Sequence, residues 1–150
     1  MGSGGIDSYI LQKTMEGGSG TMSLVLATDG KPHTSKAVDY ALEYARLHRE
    51  ALFVVFVISP RHEENREGTV GDAKRHMEEV KARATEQGVE VTTLLESGPP
   101  AESCIAVAER VGASAIIVGT SGKTVLDRVL IGSVSEHVVR NSRCTVIVVK

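Results

Sequence analysis

Between Gly119 and Ser133 the chain reads "GTSGKTVLDRVLIGS". Three glycines, a lysine and a serine lie close together there. Their chemistry is that of an anion cradle, with phosphate the foremost candidate. Glycine leaves the backbone uncovered, so amides approach a ligand closely. The start of a helix adds unpaired N–H groups and positive potential. Gly122-Lys123-Thr124 looks like the end of a P-loop. A P-loop needs a glycine five positions before the glycine that precedes its lysine. Ile117 stands at that position, so the P-loop reading fails. The dinucleotide fingerprint fails too.

What remains is Gly119, two residues, Gly122, nine residues, then Gly132-Ser133. Gly119 closes the apolar run "AIIVG", and Gly122 suits a turn with positive φ. Gly132-Ser133 opens the last helical segment, "SVSEHVVRNS". Lys123 adds charge for an anion. The intervening "KTVLDRVLI" leaves the sheet and returns, with Val125, Leu126, Val129 and Leu130 as its anchors. A plainer reading stands beside this one. Gly119 and Gly122 are then turn residues, and "SVSE" is a capping box in which Ser133 bonds to the amide of Glu136.

Asp29 follows the first apolar run and reads as a ligand or Mg²⁺ contact, or as a turn residue bonded to its own backbone. His33, His48, His62, His76 and His137 show no tight ligand spacing, which argues against a protein metal site. Of these, His33 alone falls near the expected crevice. Cys104 sits on a core-facing helix and Cys144 opens the last expected strand. Both read as small apolar side chains, and two cysteines make no disulfide framework. The charge run "RHEENRE" reads as a solvated loop.

The elements that must position these residues repeat one pattern from Ser23 onward: apolar run, turn, amphipathic helix. Strands are expected at residues 23–28, 51–58, 89–95, 113–119 and 144–150. Helices are expected at residues 36–48, from about Val70 to Gly88, at 101–112 and at 133–142. Thr34 or Ser35 is expected to cap the first helix, and Gly88 and Gly112 to stop the second and third. Strands joined by helices require parallel pairing with right-handed crossovers. Apolar strands with helices on both faces make a doubly wound α/β sandwich. Ligands of such sheets bind beyond the strands' carboxyl ends, where strand order reverses. Asp29 and Gly119 mark two of those ends.

The length of 150 residues suits one domain. Residues 1–21 hold "GSGG" and "GGSG" and read as a tag, linker or disordered leader. The domain then covers residues 22–150. A net charge of −2 argues against a dedicated nucleic-acid binder. No apolar run approaches the roughly 18 residues of a membrane span. The start lacks the blocks of a secretory signal, and a reducing cytoplasm is the expected compartment.

The spacing G-x-x-G, nine residues, G-[ST], after a strand ending "IIVG", resembles the nucleotide-binding branch of the universal stress protein family. "LVLATDG", "SGPPAESCIAVAERVGASAIIVG" and "SVSEHVVRNSRCTVIVVK" are similar to other family segments, so the likeness runs from Met22 to Lys150. It implies a five-stranded parallel sheet in the order 3-2-1-4-5 and a homodimer joined through the last strand. It also implies ATP as ligand, with Mg²⁺ alongside. Carried over by position, Ala27, Thr28 and Asp29 line the ribose and phosphate side. Val57 meets adenine through its backbone. Gly119, Thr120, Gly122 and Lys123 pass beside ribose and phosphates, and Gly132, Ser133 and Val134 hold phosphate oxygens. Two departures stand out. Many relatives carry histidine where this chain has Ser121, and a small residue where it has Lys31-Pro32-His33.

The implied function is an ATP-binding regulatory module of the stress response, since no base is placed to activate water. A slow ATP hydrolase or self-phosphorylating protein, with Ser133 or Thr120 as acceptor, is the alternative. A dimeric interaction module that binds no nucleotide is a further one, and a different adenine cofactor such as flavin the weakest.

Overall fold

The computed structural model describes residues 22–120, 124–125, 128–129 and 132–150. The expected leader, Ser121, Gly122, Lys123, Leu126 and Leu130 lie outside the described residues.

The chain alternates strand and helix. β1 (Ser23–Ala27) leads through a short 3-10 turn, Pro32–Thr34, into α1 (Ser35–His48). β2 (Ala51–Ile58) leads through a second 3-10 stretch, Pro60–Asn65, into α2 (Arg66–Glu86). β3 (Val91–Ser97), α3 (Pro100–Val111) and β4 (Ala115–Gly119) follow. A ribbon of two two-residue strands comes next, β5 (Thr124–Val125) and β6 (Arg128–Val129). α4 (Ser133–Asn141) and β7 (Thr145–Val149) close the chain. The main sheet has the order β3-β2-β1-β4-β7 and every pairing in it is parallel. This is the expected 3-2-1-4-5 order, with the ribbon between the fourth and last strands. The strand order reverses between β1 and β4.

Alternation along the strands divides the core into two layers. Leu24, Leu26, Leu52, Val54, Ala115 and Ile117 face α1 and α2. Val25, Phe53, Val55, Ile116 and Val118 face α3 and α4. All eight residues of β2 are buried, because β2 is flanked by strands on both edges and by helices on both faces. The α1 stripe Val38, Ala41, Leu42 and Ala45 is buried as its spacing requires.

Four local expectations are corrected. The run "RHEENRE" is helical: Pro60 opens the 3-10 stretch, and Ser59 N–H donates to His62 Nδ1 at 3.0 Å. β3 begins at Val91, two residues later than expected. Gly88 is left-handed at φ 72°, and the amide of Val89 still closes the helix on the Ala84 carbonyl at 2.8 Å. Thr34 stands at the start of α1 without capping it. Its hydroxyl donates instead to the Lys31 carbonyl at 2.8 Å. The capping box at Ser133 is absent. Gly132 occupies the cap position, which makes Ser133 the first helical residue, and Glu136 pairs with Arg140 at 2.9 Å.

Candidate functional site at the reversal of strand order

β1 ends at Ala27, half-buried, and Thr28 follows it, buried. The Thr28 amide continues the ladder to the Val55 carbonyl at 3.0 Å. Asp29, next in line, is exposed. Across the reversal point β4 ends at Gly119, and Thr120 is buried. The two ends are neighbours because β1 and β4 pair directly, Leu26 opposite Ile117. Val57 is buried near the end of β2 and pairs with Glu96. Its place is further along the same sheet edge.

The start of α4 is tied to the same point. The buried hydroxyl of Ser135 donates to the Gly119 carbonyl. That bond sets the first turn of α4, Ser133 exposed and Val134 half-buried, beyond the end of β4. The Glu136 amide makes the first α-type bond, to the Gly132 carbonyl at 3.0 Å. Amides before it have no acceptor within the helix. The fold therefore brings Thr28, Asp29, Gly119, Thr120, Gly132, Ser133 and Val134 to the same end of the sheet. Gly122 and Lys123 lie outside the described residues.

Asp29 serves its own turn and also faces outward from it. Its Oδ1 accepts from the Lys31 amide at 2.9 Å and lies 3.3 Å from the Thr34 hydroxyl oxygen. Its Oδ2 accepts from His33 Nε2 at 3.1 Å. The other ring nitrogen of His33 contacts the Thr120 carbonyl at 2.9 Å. A Cβ on Gly119 would stand 3.4 Å from the His33 carbonyl oxygen and 3.6 Å from Thr34 Cα. The bare face of Gly119 thus receives the chain's own Pro32–Thr34 turn.

Three residues here are not singled out by the sequence. Ser135 lies within the cap-like "SVSE", and Thr34 at an expected helix cap. His76 shows no ligand spacing, yet its Nε2 lies 2.9 Å from the Thr28 hydroxyl. One signal for it exists. His76 stands three residues after Ala73 and four before Val80, both buried, so it borders the apolar stripe of α2. Burial holds its pKa below the ordinary 6.5, Arg83 adds to that, and the carboxylates of Glu79 and Asp29 oppose it. Among the described residues no group of three or more His, Cys, Asp or Glu is placed to hold a metal.

The sequence profile of the universal stress protein family matches residues 21–150. The chain belongs to the universal stress protein family. Universal stress protein MJ0531 of Methanocaldococcus jannaschii is 32% identical over 153 residues, covering 95% of this chain and 90% of that protein. Among solved structures of similar proteins, MJ0577, from the same organism, superposes with a TM-score of 0.76 at 30% identity, over 85% of this chain and 94% of that one. A universal stress protein solved in complex with cAMP superposes with a TM-score of 0.69 at 25% identity, over 86% of this chain and 96% of that one. The family fold agrees with the parallel sheet and its order. No helix among the described residues is long and apolar enough to cross a membrane.

Proposed function

We propose that this universal stress protein is a nucleotide-dependent regulatory module that binds ATP, with Mg²⁺ carried on the phosphates. One observation carries the reading. The Ser135–Gly119 bond fixes the amide-bearing start of α4 beside the reversal point between β1 and β4. A carboxylate, a strand end and a helix start then converge where open α/β sheets hold ligands. The similar protein that binds cAMP supports an adenine nucleotide as the ligand class.

In this reading Ala27, Thr28 and Asp29 line the ribose and phosphate side, and the Val57 backbone meets adenine. Gly119, Thr120, Gly122 and Lys123 border ribose and phosphates. Gly132, Ser133 and Val134 hold phosphate oxygens. The donor set fits such a ligand: backbone amides for phosphate, and one carboxylate for ribose or metal. Mg²⁺ commonly needs no more than one or two carboxylates beside phosphates. The chain's role is to bind and orient the nucleotide. A homodimer joined along β7, cytoplasmic residence and a leader at residues 1–21 complete the proposal.

The test is direct. Protein purified without added ligand is denatured, the released small molecules are separated by chromatography, and refolded protein is titrated with Mg-ATP by calorimetry. A released adenine nucleotide, or saturable heat at one site per chain, is the expected result. Neither signal at millimolar ATP rejects the reading.

A further inference from the structure

His33 joins two strand ends that are distant in sequence. From its turn it reaches the Asp29 carboxylate through Nε2, 3.1 Å, and the Thr120 carbonyl through Nδ1, 2.9 Å. Both partners can only accept hydrogen bonds, so each ring nitrogen acts as a donor when both bonds form. A neutral ring supplies one such donor and the protonated ring two. The ring therefore bridges the turn after β1 and the end of β4.

We infer that His33 is a positioning residue for the candidate site: its imidazole fixes the plane of the Asp29 carboxylate and ties it to the end of β4. The Lys31 amide donates to Oδ1, and the Thr34 hydroxyl oxygen stands 3.3 Å from the same atom. Anchors on one oxygen leave the carboxylate able to swivel about it. The bond from His33 to Oδ2 supplies the second anchor and removes that freedom. The Thr120 carbonyl in turn fixes the imidazole. The turn that carries His33 rests on Gly119, where a Cβ would stand 3.4 Å from the His33 carbonyl oxygen. A carboxylate held at two points binds a hydroxyl or metal-bound water at lower entropic cost than a swivelling one. The functional consequence rests on the nucleotide reading, whereas the geometry stands without it.

Three substitutions separate the two bonds. His33→Gln keeps a donor near Nε2 and so the link to Asp29. His33→Asn keeps a donor near Nδ1 and so the link to Thr120. His33→Ala loses both. ATP affinity by calorimetry is expected to fall about tenfold in the Ala and Asn variants and to recover in the Gln variant, the scale of one charge-assisted hydrogen bond. Equal losses in all three, or none in any, overturn the inference. Crystal structures of the three variants without ligand give a second readout. Asp29 Oδ2 is expected to turn away in the Ala and Asn variants and to stay in the Gln variant. If wild-type protein binds no ATP, the proposed function fails, and these structures still decide the role of His33. A carboxylate unmoved in all three overturns it.

Discussion

The hydroxyl of Thr28 lies 2.9 Å from Nε2 of His76, so a helix residue supports the end of β1 from beneath the candidate site. The same hydroxyl accepts from the Gly30 amide at 3.2 Å and contacts the Thr34 hydroxyl at 3.3 Å. One buried threonine thus links β1, the turn after it and α2. The neutral state of His76 is favoured chiefly by burial, with Arg83 also lowering its pKa below 6.5.

A pH dependence follows from that direction. The unfolded chain protonates this imidazole near 6.5, and the folded chain does so at lower pH. In the window between, the unfolded state binds more protons, so stability falls as pH drops through it and is fully kept above it. His76→Gln removes the titration and retains an amide for Thr28. Urea melts from about pH 7.5 to about pH 5 are expected to show wild type losing more stability than His76→Gln. Parallel losses would disprove the role of burial here.

Gly30 is held to glycine twice over. Its φ is +73°, and a Cβ there would stand 3.2 Å from His76 Cγ. A left-handed conformation costs a side-chain-bearing residue about 1–2 kcal/mol. Gly30→Ala is expected to destabilise the protein by at least that amount in chemical denaturation. Gly30→Ala in a His76→Ala background should cost less, because the crowding is gone while the strain remains.

Gly119 gives a graded prediction. A Cβ there makes ordinary contacts, the nearest at 3.4 Å to the His33 carbonyl oxygen. Gly119→Ala is therefore expected to fold with little loss. The added methyls of Gly119→Val would press on the Pro32–Thr34 turn and cost about 1–3 kcal/mol, as overpacking does. Thermal melts of the two variants check this. Equal stability would mean that the turn yields without resistance.

The architecture was legible because β2 and β4 are apolar throughout and α1 and α3 carry their apolar residues at helical spacing. Such patterns bury only one way. The site was legible where it depends on main chain: Gly119 and Gly132 fall at the end of β4 and the cap of α4. Its side-chain links were not. Local spacing carries no information on the His33–Thr120 or Thr28–His76 contacts, 87 and 48 residues apart in sequence. "SVSE" misled for a related reason. A cap-like pattern does not reveal that the strand end at Gly119 will take the hydroxyl of Ser135, or that the cap position falls on Gly132. The polar run after Pro60 likewise hid a helix start whose first bonds are local to Ser59 and His62.

The two cysteines should separate by reactivity. Cys104 is 2% exposed, within the layer between the sheet and α3. Burial, with the nearby Glu96 carboxylate, pushes its thiol up to about 12. Only the thiolate attacks alkylating reagents, so the folded state protects Cys104 through both access and ionisation. Cys144 is half-buried, with Sγ 3.3 Å from the Ser142 hydroxyl. Iodoacetamide at neutral pH is expected to label Cys144 first and Cys104 only as the protein unfolds. Mass spectrometry of timed samples, with and without denaturant, reads the order. Rapid labelling of Cys104 in native protein would mean that α3 opens from the sheet far more often than its buried face, Ala101 through Val111, would allow.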